Sequence, residues 1–329
     1  MTTAPSRILV TGGSGFIGTN LVEHLSSLGH VVGNLDVVAP RNHGHADRWR
    51  PTDLLDAGAV LRTVTDFAPE VIVHLGARTD LGGDSLDDYR VNADGVRHVV
   101  DAAKATPAVQ RVLFGSSQLV STPGRLPAHD LDYRPPNPYG ESKVIGEEIV
   151  RAEAGDAFTW ILLRPTSIWG PWFGELYSAF FRTVQKGRYL HPRGVRIRKS
   201  FGYVGNAVHQ LERIVEAPAE AIHGRVVYLA DYEAYPIYEW AQIIAAEFGR
   251  RGVREVPLGV LRLLACGGDA LKLVGVDHPP LSSYRLRNIL TETVFPMEPL
   301  RALCGDLPYS LAEGTRLTAQ WLRDHPDDL

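Results

Sequence analysis

Residues 10–18 read VTGGSGFIG, a glycine-rich stretch between an apolar run and a predicted helix. The run RILV at 7–10 predicts a buried strand, and IGTNLVEHLSSLG at 17–29 predicts a helix. Glycines in such a turn let the backbone approach a pyrophosphate, while the helix N-terminus provides free N–H groups. We therefore expect a dinucleotide to bind at this turn. The residues expected to contact it are Gly12, Gly15, Phe16, Ile17 and Gly18.

The end of the second predicted strand carries a carboxylate. In HVVGNLDVV at 30–38, Asp36 follows Gly18 by 18 residues. A carboxylate at this position accepts hydrogen bonds from an adenosine ribose and repels a 2′-phosphate. The cofactor predicted is therefore NAD. NADP is kept as the less favoured alternative. The reason for keeping it is Arg41, which follows in the same loop, because arginine pairs with a 2′-phosphate.

Predicted strands alternate with helices up to about residue 170, which implies βαβ units and a parallel sheet covered on both faces. Beyond that point Pro, Gly and aromatic residues become dense and strands are sparse. The fold class predicted is α/β, a Rossmann-type doubly wound parallel sheet with a smaller, mostly helical C-terminal lobe. We expect residues 1–170, joined again by 200–230, to form an NAD-binding domain. Residues 171–329 would form the substrate-binding lobe.

Charge and hydropathy argue against nucleic acid and membrane partners. The net charge is −4 over 329 residues, and the arginine-rich stretch 193–200 is a local exception. The longest apolar region, 256–276, contains Arg262, Asp269 and Lys272. It predicts an amphipathic helix pair and not a membrane span.

The two cysteines and the clustered histidines suggest no metal site. Cys266 and Cys304 lack metal-ligand spacing, so both are expected to be buried, reduced thiols. The histidines in HGH (43–45) and DHPP (277–280) lack supporting carboxylates or thiols and are expected to lie in loops. The N-terminus enters a predicted strand at once, leaving no room for a signal peptide. We therefore expect a cytoplasmic protein.

A tyrosine and a lysine in NPYGESK (137–143) suggest acid–base chemistry. Tyr139 and Lys143 are four residues apart at the start of a predicted helix, so they share one face. The neighbouring ammonium would lower the pKa of the Tyr139 phenol and make it a usable acid or base near neutral pH. Such a pair alone is common on protein surfaces. The glycine turn and Ser117, at the end of the strand RVLFGSS (111–117), argue against coincidence here.

Together these motifs resemble the extended branch of the short-chain dehydrogenases/reductases, the family of NAD-dependent nucleotide-sugar epimerases and dehydratases. The resemblance covers nearly the whole chain. It rests on TGGSGFIG (11–18), Asp36, DLLD (53–56), VIVHLGA (71–77), Asn92, GSS (115–117), YGESK (139–143), LLRPTSIWGP (162–171) and SLAEGTRLTAQWL (310–322).

The resemblance implies roles for further residues. Asn92 would join the cofactor site and support the active-site helix, and Tyr139 and Lys143 would contact the cofactor, Lys143 at the nicotinamide ribose. It also implies a homodimer that forms through helices 87–105 and 139–154. The remaining cofactor contacts would be Asp53 and Leu54 at the adenine, Leu75, Gly76 and Ala77 after the fourth strand, and Pro165 near the nicotinamide.

The same resemblance implies a reaction. Tyr139 would remove the proton from a sugar hydroxyl while hydride passes to NAD, and Ser117 would hold the same oxygen. Ser116 points the opposite way on an extended backbone and is expected to be structural. The dehydratases carry an Asp–Glu pair where this chain has Gln118 and Leu119, which disfavours a 4,6-dehydratase. The reaction predicted is therefore epimerisation, most often at C4, by transient oxidation to a keto-sugar and return of hydride.

Departures from the family pattern bear on the substrate, which by resemblance is a nucleotide diphosphate sugar. Ser167 stands where epimerases usually have Asn, Lys199 would replace a phosphate-binding arginine, and Asn206 takes an acidic position. The substrate contacts predicted are Ser117, Ser167, Lys199 and Arg285, with Arg287 as the alternative to Arg285.

Two alternatives remain. One is an NAD(P)-dependent reductase or dehydrogenase of a keto-sugar or another alcohol, similar to hydroxysteroid dehydrogenases. The other is a non-catalytic protein of the same fold that senses redox state or serves as a scaffold. The second fits badly, since it would not need Ser117, Tyr139 and Lys143 together.

Overall fold

Seven parallel strands form the central sheet of the computed structural model, which describes residues 5–273 and 281–326. The strands are β1 (Arg7–Thr11), β2 (Val31–Asp36), β3 (Trp49–Pro51), β4 (Val71–His74), β5 (Arg111–Gly115), β6 (Thr159–Pro165) and β11 (Arg225–Leu229). Their order is β11-β6-β5-β4-β1-β2-β3, and all neighbours are parallel. The carboxyl ends of the strands therefore meet at one edge, where the predicted site residues lie.

Helices cover both faces of this sheet, as the alternation of strands and helices predicts. The helices are α1 (Phe16–Ser27), α2 (Ala57–Phe67), α3 (Val91–Ala105), α4 (Pro138–Glu153), α5 (Glu175–Gln185), α6 (Val204–Glu216), α7 (Ala219–Ile222), α8 (Ile237–Glu247), α9 (Leu258–Leu273), α10 (Ser283–Leu290), α11 (Glu298–Cys304) and α12 (Leu311–Asp324). Alternate residues of β1 enter different cores: Ile8 and Val10 pack with α1 and α6, whereas Leu9 packs with α2 and α3. The doubly wound fold is thus confirmed.

The chain leaves the sheet after β6 and later returns to it. Helix α6 packs on α1, and β11 pairs with β6 from Arg225↔Ile161 to Leu229↔Pro165. The division into an NAD-binding domain and a substrate-binding lobe stays a prediction.

The C-terminal part is mostly helical, as expected, with six short strands in three pairs. These strands are β7 (Ser167–Trp169), β8 (Leu190–Pro192), β9 (Arg198–Lys199), β10 (Phe201–Tyr203), β12 (Tyr235–Pro236) and β13 (Arg254–Val256). Its centre is aromatic: the Trp169 ring lies 4.9 Å from that of Trp240 and 5.7 Å from that of Phe181. Trp169 and Phe173, both in the aromatic stretch WGPWF at 169–173, are fully buried and serve packing.

Three expectations differ from the structure. The apolar region from 256 forms one helix, α9, preceded by β13, because the chain up to Leu273 is helical without a break; residues 274–276 and His278 lie outside the described residues. Cys266 is exposed, although Cys304 is buried, because Cys266 lies on the outer side of α9. Residues 43–48 form a 3-10 helix in which buried His45 contacts Glu23. No helix within residues 5–273 and 281–326 is long and apolar enough to cross a bilayer.

Candidate active site

The glycine turn after β1 is packed too closely for side chains. Gly12 has φ +70°, and a Cβ there would lie 2.6 Å from the Gly76 nitrogen. A Cβ at Gly18 would lie 2.7 Å from the Gly13 Cα. Gly15 is the N-cap of α1, and Phe16 and Ile17 begin its first turn, where backbone N–H groups have no intrahelical acceptor. The turn therefore presents N–H donors and the positive end of a helix dipole, which fits a pyrophosphate.

Asp36 lies beside this turn at the end of β2. Its carboxylate accepts hydrogen bonds from the backbone N–H groups of Ser14, at 3.1 Å, and Val38, at 3.0 Å. Arg41 donates to the carbonyl oxygen of Trp172 at 2.9 Å, so its guanidinium contacts the C-terminal part of the chain. A fixed carboxylate at this edge fits a ribose with free hydroxyls better than a ribose 2′-phosphate.

The segment after β4 is held against the glycine turn. Gly76 N–H donates to Thr11 Oγ1 at 3.1 Å, and a Cβ at Gly76 would lie 2.6 Å from a Leu54 methyl carbon. Leu54 is itself buried. Other predicted cofactor contacts here are Asp53, which is exposed, and Leu75 and Ala77, which are half-buried.

His74 was missed by the sequence analysis, and its only signal is a polar residue at the end of a buried strand. Its Nδ1 lies 2.8 Å from Thr11 Oγ1. Burial and, to a smaller extent, the Lys143 charge lower the pKa of His74 to about 3. The imidazole is therefore neutral at physiological pH and joins β1 to β4 beneath the site.

Asn92 connects three elements around the site. Its Oδ1 accepts from the Arg78 N–H at 2.8 Å, while its Nδ2 donates to the Arg78 carbonyl at 3.0 Å and to Ser142 Oγ at 2.9 Å. The side chain is almost fully buried. Asn92 thus holds α4 through Ser142, and a contact between Asn92 and the cofactor stays a prediction.

Two of the three predicted catalytic residues, Ser117 and Lys143, lie at the carboxyl end of β5, and Tyr139 lies one helical turn before Lys143 on α4. Lys143 Nζ donates to the carbonyl oxygen of Gly115, the last residue of β5, at 3.0 Å. Ser117 follows Gly115 by two residues and is buried, with its Oγ accepting from the Leu119 N–H at 3.1 Å. Tyr139 is 8% exposed and packs edge-on against Tyr89, with ring centroids 5.8 Å apart.

The electrostatics of Lys143 suit a proton-transfer site. Burial lowers the pKa of the Lys143 ammonium to about 8, against an opposing effect of Glu147. Lys143 therefore remains charged at neutral pH, one helical turn from Tyr139. A cation there favours the phenolate form of the tyrosine.

The start of α4 fixes the position of Tyr139. Asn137 is the N-cap, with Oδ1 accepting from the Gly140 N–H at 2.9 Å, and Pro138 occupies the first turn. A Cβ at Gly140 would overlap the Leu119 carbonyl oxygen. Glycine after Tyr139 therefore lets α4 begin directly against the 3-10 turn Gln118–Val120 that follows Ser117.

A buried ion pair beneath the site was also missed from the sequence. Arg164 donates from Nε and Nη2 to the two carboxylate oxygens of Glu147, at 2.8 and 2.7 Å, and to the Asp130 carbonyl at 2.6 Å. Ser116 Oγ donates to the same carboxylate at 2.6 Å, which gives Ser116 the structural place expected of it. The Tyr133 hydroxyl donates to it at 2.9 Å, and burial, together with the Glu147 charge, raises the pKa of Tyr133 to about 12.

The predicted substrate contacts fall into two groups. Ser167 lies beside the catalytic residues, since its Oγ accepts from Gln118 Nε2 at 3.3 Å, and half-buried Pro165 ends β6 nearby. Lys199 lies in β9 and donates to the carbonyl and side-chain oxygens of Asn288, at 2.7 and 3.1 Å. Burial lowers the pKa of Lys199 to about 8. Arg285 is exposed on α10.

Asn206, which stands at a position that is acidic in the family pattern, is buried and donates to a neighbouring carboxylate. Its Nδ2 donates at 2.9 Å to both the Asp231 carboxylate and the Tyr309 carbonyl. Asp231 supplies the carboxylate at this point and also accepts from the Tyr203 N–H and the Tyr235 hydroxyl. Burial raises the pKa of Asp231 to about 7. Among the residues described, no group of three His, Cys, Asp or Glu side chains is placed to hold a metal ion.

Comparison with known proteins adds a family match. A model described as the NAD dependent epimerase/dehydratase family matches residues 8–230. A 3β-hydroxysteroid dehydrogenase/Δ5→4-isomerase from Mycobacterium tuberculosis is 31% identical over 76% of this chain and 72% of its own length. An N-acetyl-α-D-glucosaminyl-diphospho-ditrans,octacis-undecaprenol 4-epimerase from Escherichia coli is 28% identical over 96% of this chain and 95% of its own length.

The fold also matches a solved structure. A Thermus thermophilus UDP-glucose 4-epimerase in complex with NAD superposes with a TM-score of 0.72, at 22% identity, over 96% of this chain and 99% of that one. At that identity the likeness concerns the fold. The curated relatives are enzymes, and they include both epimerases and dehydrogenases.

Proposed function

We propose that this chain, which belongs to the NAD-dependent epimerase/dehydratase family, is an NAD-dependent nucleotide-sugar epimerase that acts at C4. One observation supports this most directly. Lys143, on the face of α4 that carries Tyr139, is hydrogen-bonded to the end of β5, two residues before Ser117. Gln118 and Leu119 follow, neither of which is an acid or a base of the kind that elimination of water requires.

The side chains account for the proton transfer. Tyr139 would accept the proton of the substrate hydroxyl through its phenolic oxygen, and the Ser117 hydroxyl would donate a hydrogen bond to the same oxygen. The Lys143 ammonium would stabilise the phenolate and is fixed by the Gly115 carbonyl. Bound NAD would supply the hydride acceptor and, for the return step, the hydride donor.

The cofactor proposed is NAD and not NADP. The Asp36 carboxylate is held at the end of β2 by two backbone N–H groups, and it would repel a 2′-phosphate. Arg41, the residue that could favour NADP, donates to the Trp172 carbonyl instead.

A reductase or dehydrogenase of a less polar alcohol is the second candidate. Two observations favour it: the Lys199 ammonium contacts the end of α10 within the chain, and Asn206 is buried against Asp231. Neither the Lys199 nor the Asn206 side chain is arranged to contact a substrate diphosphate. The hydroxysteroid dehydrogenase that is 31% identical agrees with this alternative.

We also propose a homodimer that forms through α3 and α4. The two helices pack side by side, and Arg97 of α3 contacts Glu153 of α4 at 3.1 Å, on the outer surface. Light scattering after gel filtration would measure the mass. A mass of one chain at micromolar concentration would contradict this proposal.

The test begins with the cofactor. The purified protein is denatured, and the nucleotide that it releases is identified and counted. NAD near one per chain, retained through dialysis, supports epimerisation, whereas an empty protein or one with NADP supports the reductase. Nucleotide sugars are then screened for isomerisation without a net change in NADH absorbance.

A variant pair tests the assignment of the acid and base. Tyr139→Phe should abolish turnover, while Tyr309→Phe, at an exposed position of the C-terminal part, should leave it unchanged. Turnover that survives in Tyr139→Phe would show that another group moves the proton.

A further inference from the structure

Helix α9 exposes an apolar face. Leu261, Ala265 and Gly268 are buried, and α9 packs against α10. The opposite face, at helical spacing, consists of Gly259, Val260, Leu263, Leu264, Cys266, Gly267, Ala270 and Leu271, all exposed.

The exposure on this face is large for apolar side chains. Leu263 is 75% exposed, Leu264 48%, and Val260 and Leu271 45% each. Tyr284 of the neighbouring α10 adds a ring that is 66% exposed. Soluble chains seldom leave a contiguous apolar surface of this kind in water, and such surfaces mark interaction sites.

Basic segments adjoin α9, and within them Arg196 is paired with Glu255 at 3.0 Å and Arg198 with Glu292 at 3.5 Å. Residues 186–199 contain six Lys and Arg and no Asp or Glu, in a chain whose net charge is −4. This segment adjoins α9, because β8 pairs with β13, which directly precedes α9, and the Arg193 N–H donates to the Val256 carbonyl at 2.8 Å. Arg254 of β13 and Arg262 of α9 itself are exposed.

The arginines continue on the other side of α9. Helix α10 is joined to α9 where the Asp269 carboxylate accepts from the Ser283 N–H at 3.1 Å. Arg285 and Arg287 of α10 are both exposed. The apolar face therefore lies between basic segments that precede and follow it along the chain.

The apolar face and the basic segments together distinguish between two occupants of this surface, a second copy of the chain and an anionic bilayer. In a two-fold dimer, the same patch of both subunits meets itself, so the basic segments would face one another and repel. An anionic bilayer instead offers acyl chains to the leucines and phosphates to the arginines.

We propose that α9 lies in the surface of an anionic lipid bilayer, with Leu263, Leu264 and Leu271 among the acyl chains and the surrounding arginines at the headgroups. The expectation of no membrane partner rests on the absence of a predicted spanning helix and on the average charge. Peripheral docking depends on a local charge and on one face of one helix. The proposal does not depend on the reaction, and its test does not measure turnover.

The experiment is flotation of the whole protein with vesicles of phosphatidylcholine, alone or with 30% phosphatidylglycerol. The wild type should float with the anionic vesicles and not with the neutral ones, and salt should weaken binding. Leu263→Glu should lower the partition coefficient at least about tenfold, since it replaces a leucine in the acyl layer by a charge. Leu61→Glu, at a 41% exposed position of α2, is the matched control and should bind like the wild type.

Three results would overturn the proposal. The wild type stays unbound with anionic vesicles, or Leu61→Glu loses as much binding as Leu263→Glu. In the third, Leu263→Glu dissociates a lipid-free dimer in light scattering, which would identify the face as a contact between two copies.

Discussion

The buried pair of Glu147 and Arg164 leads to a quantitative prediction for Glu147→Gln. The two side chains are 0% and 1% exposed, and the guanidinium contacts both carboxylate oxygens. Ser116 and Tyr133 donate to the same carboxylate. Glutamine keeps the shape but removes the charge and turns one acceptor into a donor.

The loss follows from what remains buried. In Glu147→Gln the Arg164 guanidinium keeps only the Asp130 carbonyl as a fully effective acceptor. Breaking a buried pair by removing one partner costs about 3–5 kcal/mol, since the remaining charge stays desolvated. We expect the free energy of unfolding to fall by that amount, a large part of the about 5–15 kcal/mol of a typical domain.

Urea unfolding followed by circular dichroism measures this loss. Asp47→Asn is the control, because Asp47 pairs with Arg48 at the surface, at 2.7 Å, outside α3 and α4. That change should cost less than about 1 kcal/mol. The double variant Glu147→Gln with Arg164→Met should recover part of the loss, since no unpaired charge remains. Equal losses for Glu147→Gln and Asp47→Asn would refute the reasoning.

Three further predictions concern single groups. Gly140→Ala should destabilise the fold by about 2 kcal/mol in urea unfolding and reduce turnover, because the new Cβ overlaps the Leu119 carbonyl oxygen. The free energy of unfolding of Asp231→Asn, relative to that of the wild type, should rise by about 1 kcal/mol for each pH unit between pH 4 and 7. Urea midpoints at several pH values would measure this rise. The wild-type carboxyl, with a pKa raised to about 7, keeps its proton in that range while the unfolded chain loses it. Turnover should fall above about pH 8 in a kcat profile, as the Lys143 ammonium loses its proton.

Each of these has a contrary outcome. Normal stability in Gly140→Ala would mean that α4 can shift away from the 3-10 turn. A stability difference between Asp231→Asn and the wild type that is the same at pH 5 and pH 7.5 would mean that Asp231 titrates normally. A kcat that is constant from pH 7 to 9.5 would show that the charge of Lys143 is not needed.

Local patterns predicted the glycine turn, the strand–helix alternation and the approach of Lys143 to the end of the strand that precedes Ser117, because each depends on neighbours in sequence or on the common edge of a parallel sheet. The pairing of Glu147 with Arg164 could not be predicted, since the two lie on α4 and β6 and meet only through packing. The carboxylate beside Asn206 comes from Asp231 for the same reason.

The exposed face of α9 escaped prediction for a different reason. Leucines lie on both the covered and the exposed side of α9, so periodicity does not show which side is covered. Only the position of α10, which covers Leu261 and Ala265, decides that Leu263 is exposed.

The position of β11 in the sheet affects how the chain folds while it is being synthesised on the ribosome. Strand β6 is complete at Pro165, but its outer partner begins only at Arg225, so residues 166–224 must be translated in between. At typical rates the nascent chain keeps the backbone edge of β6 unpaired for roughly 3–12 s. An open apolar strand edge invites pairing with other chains, so aggregation during overexpression should depend on translation speed through residues 166–224.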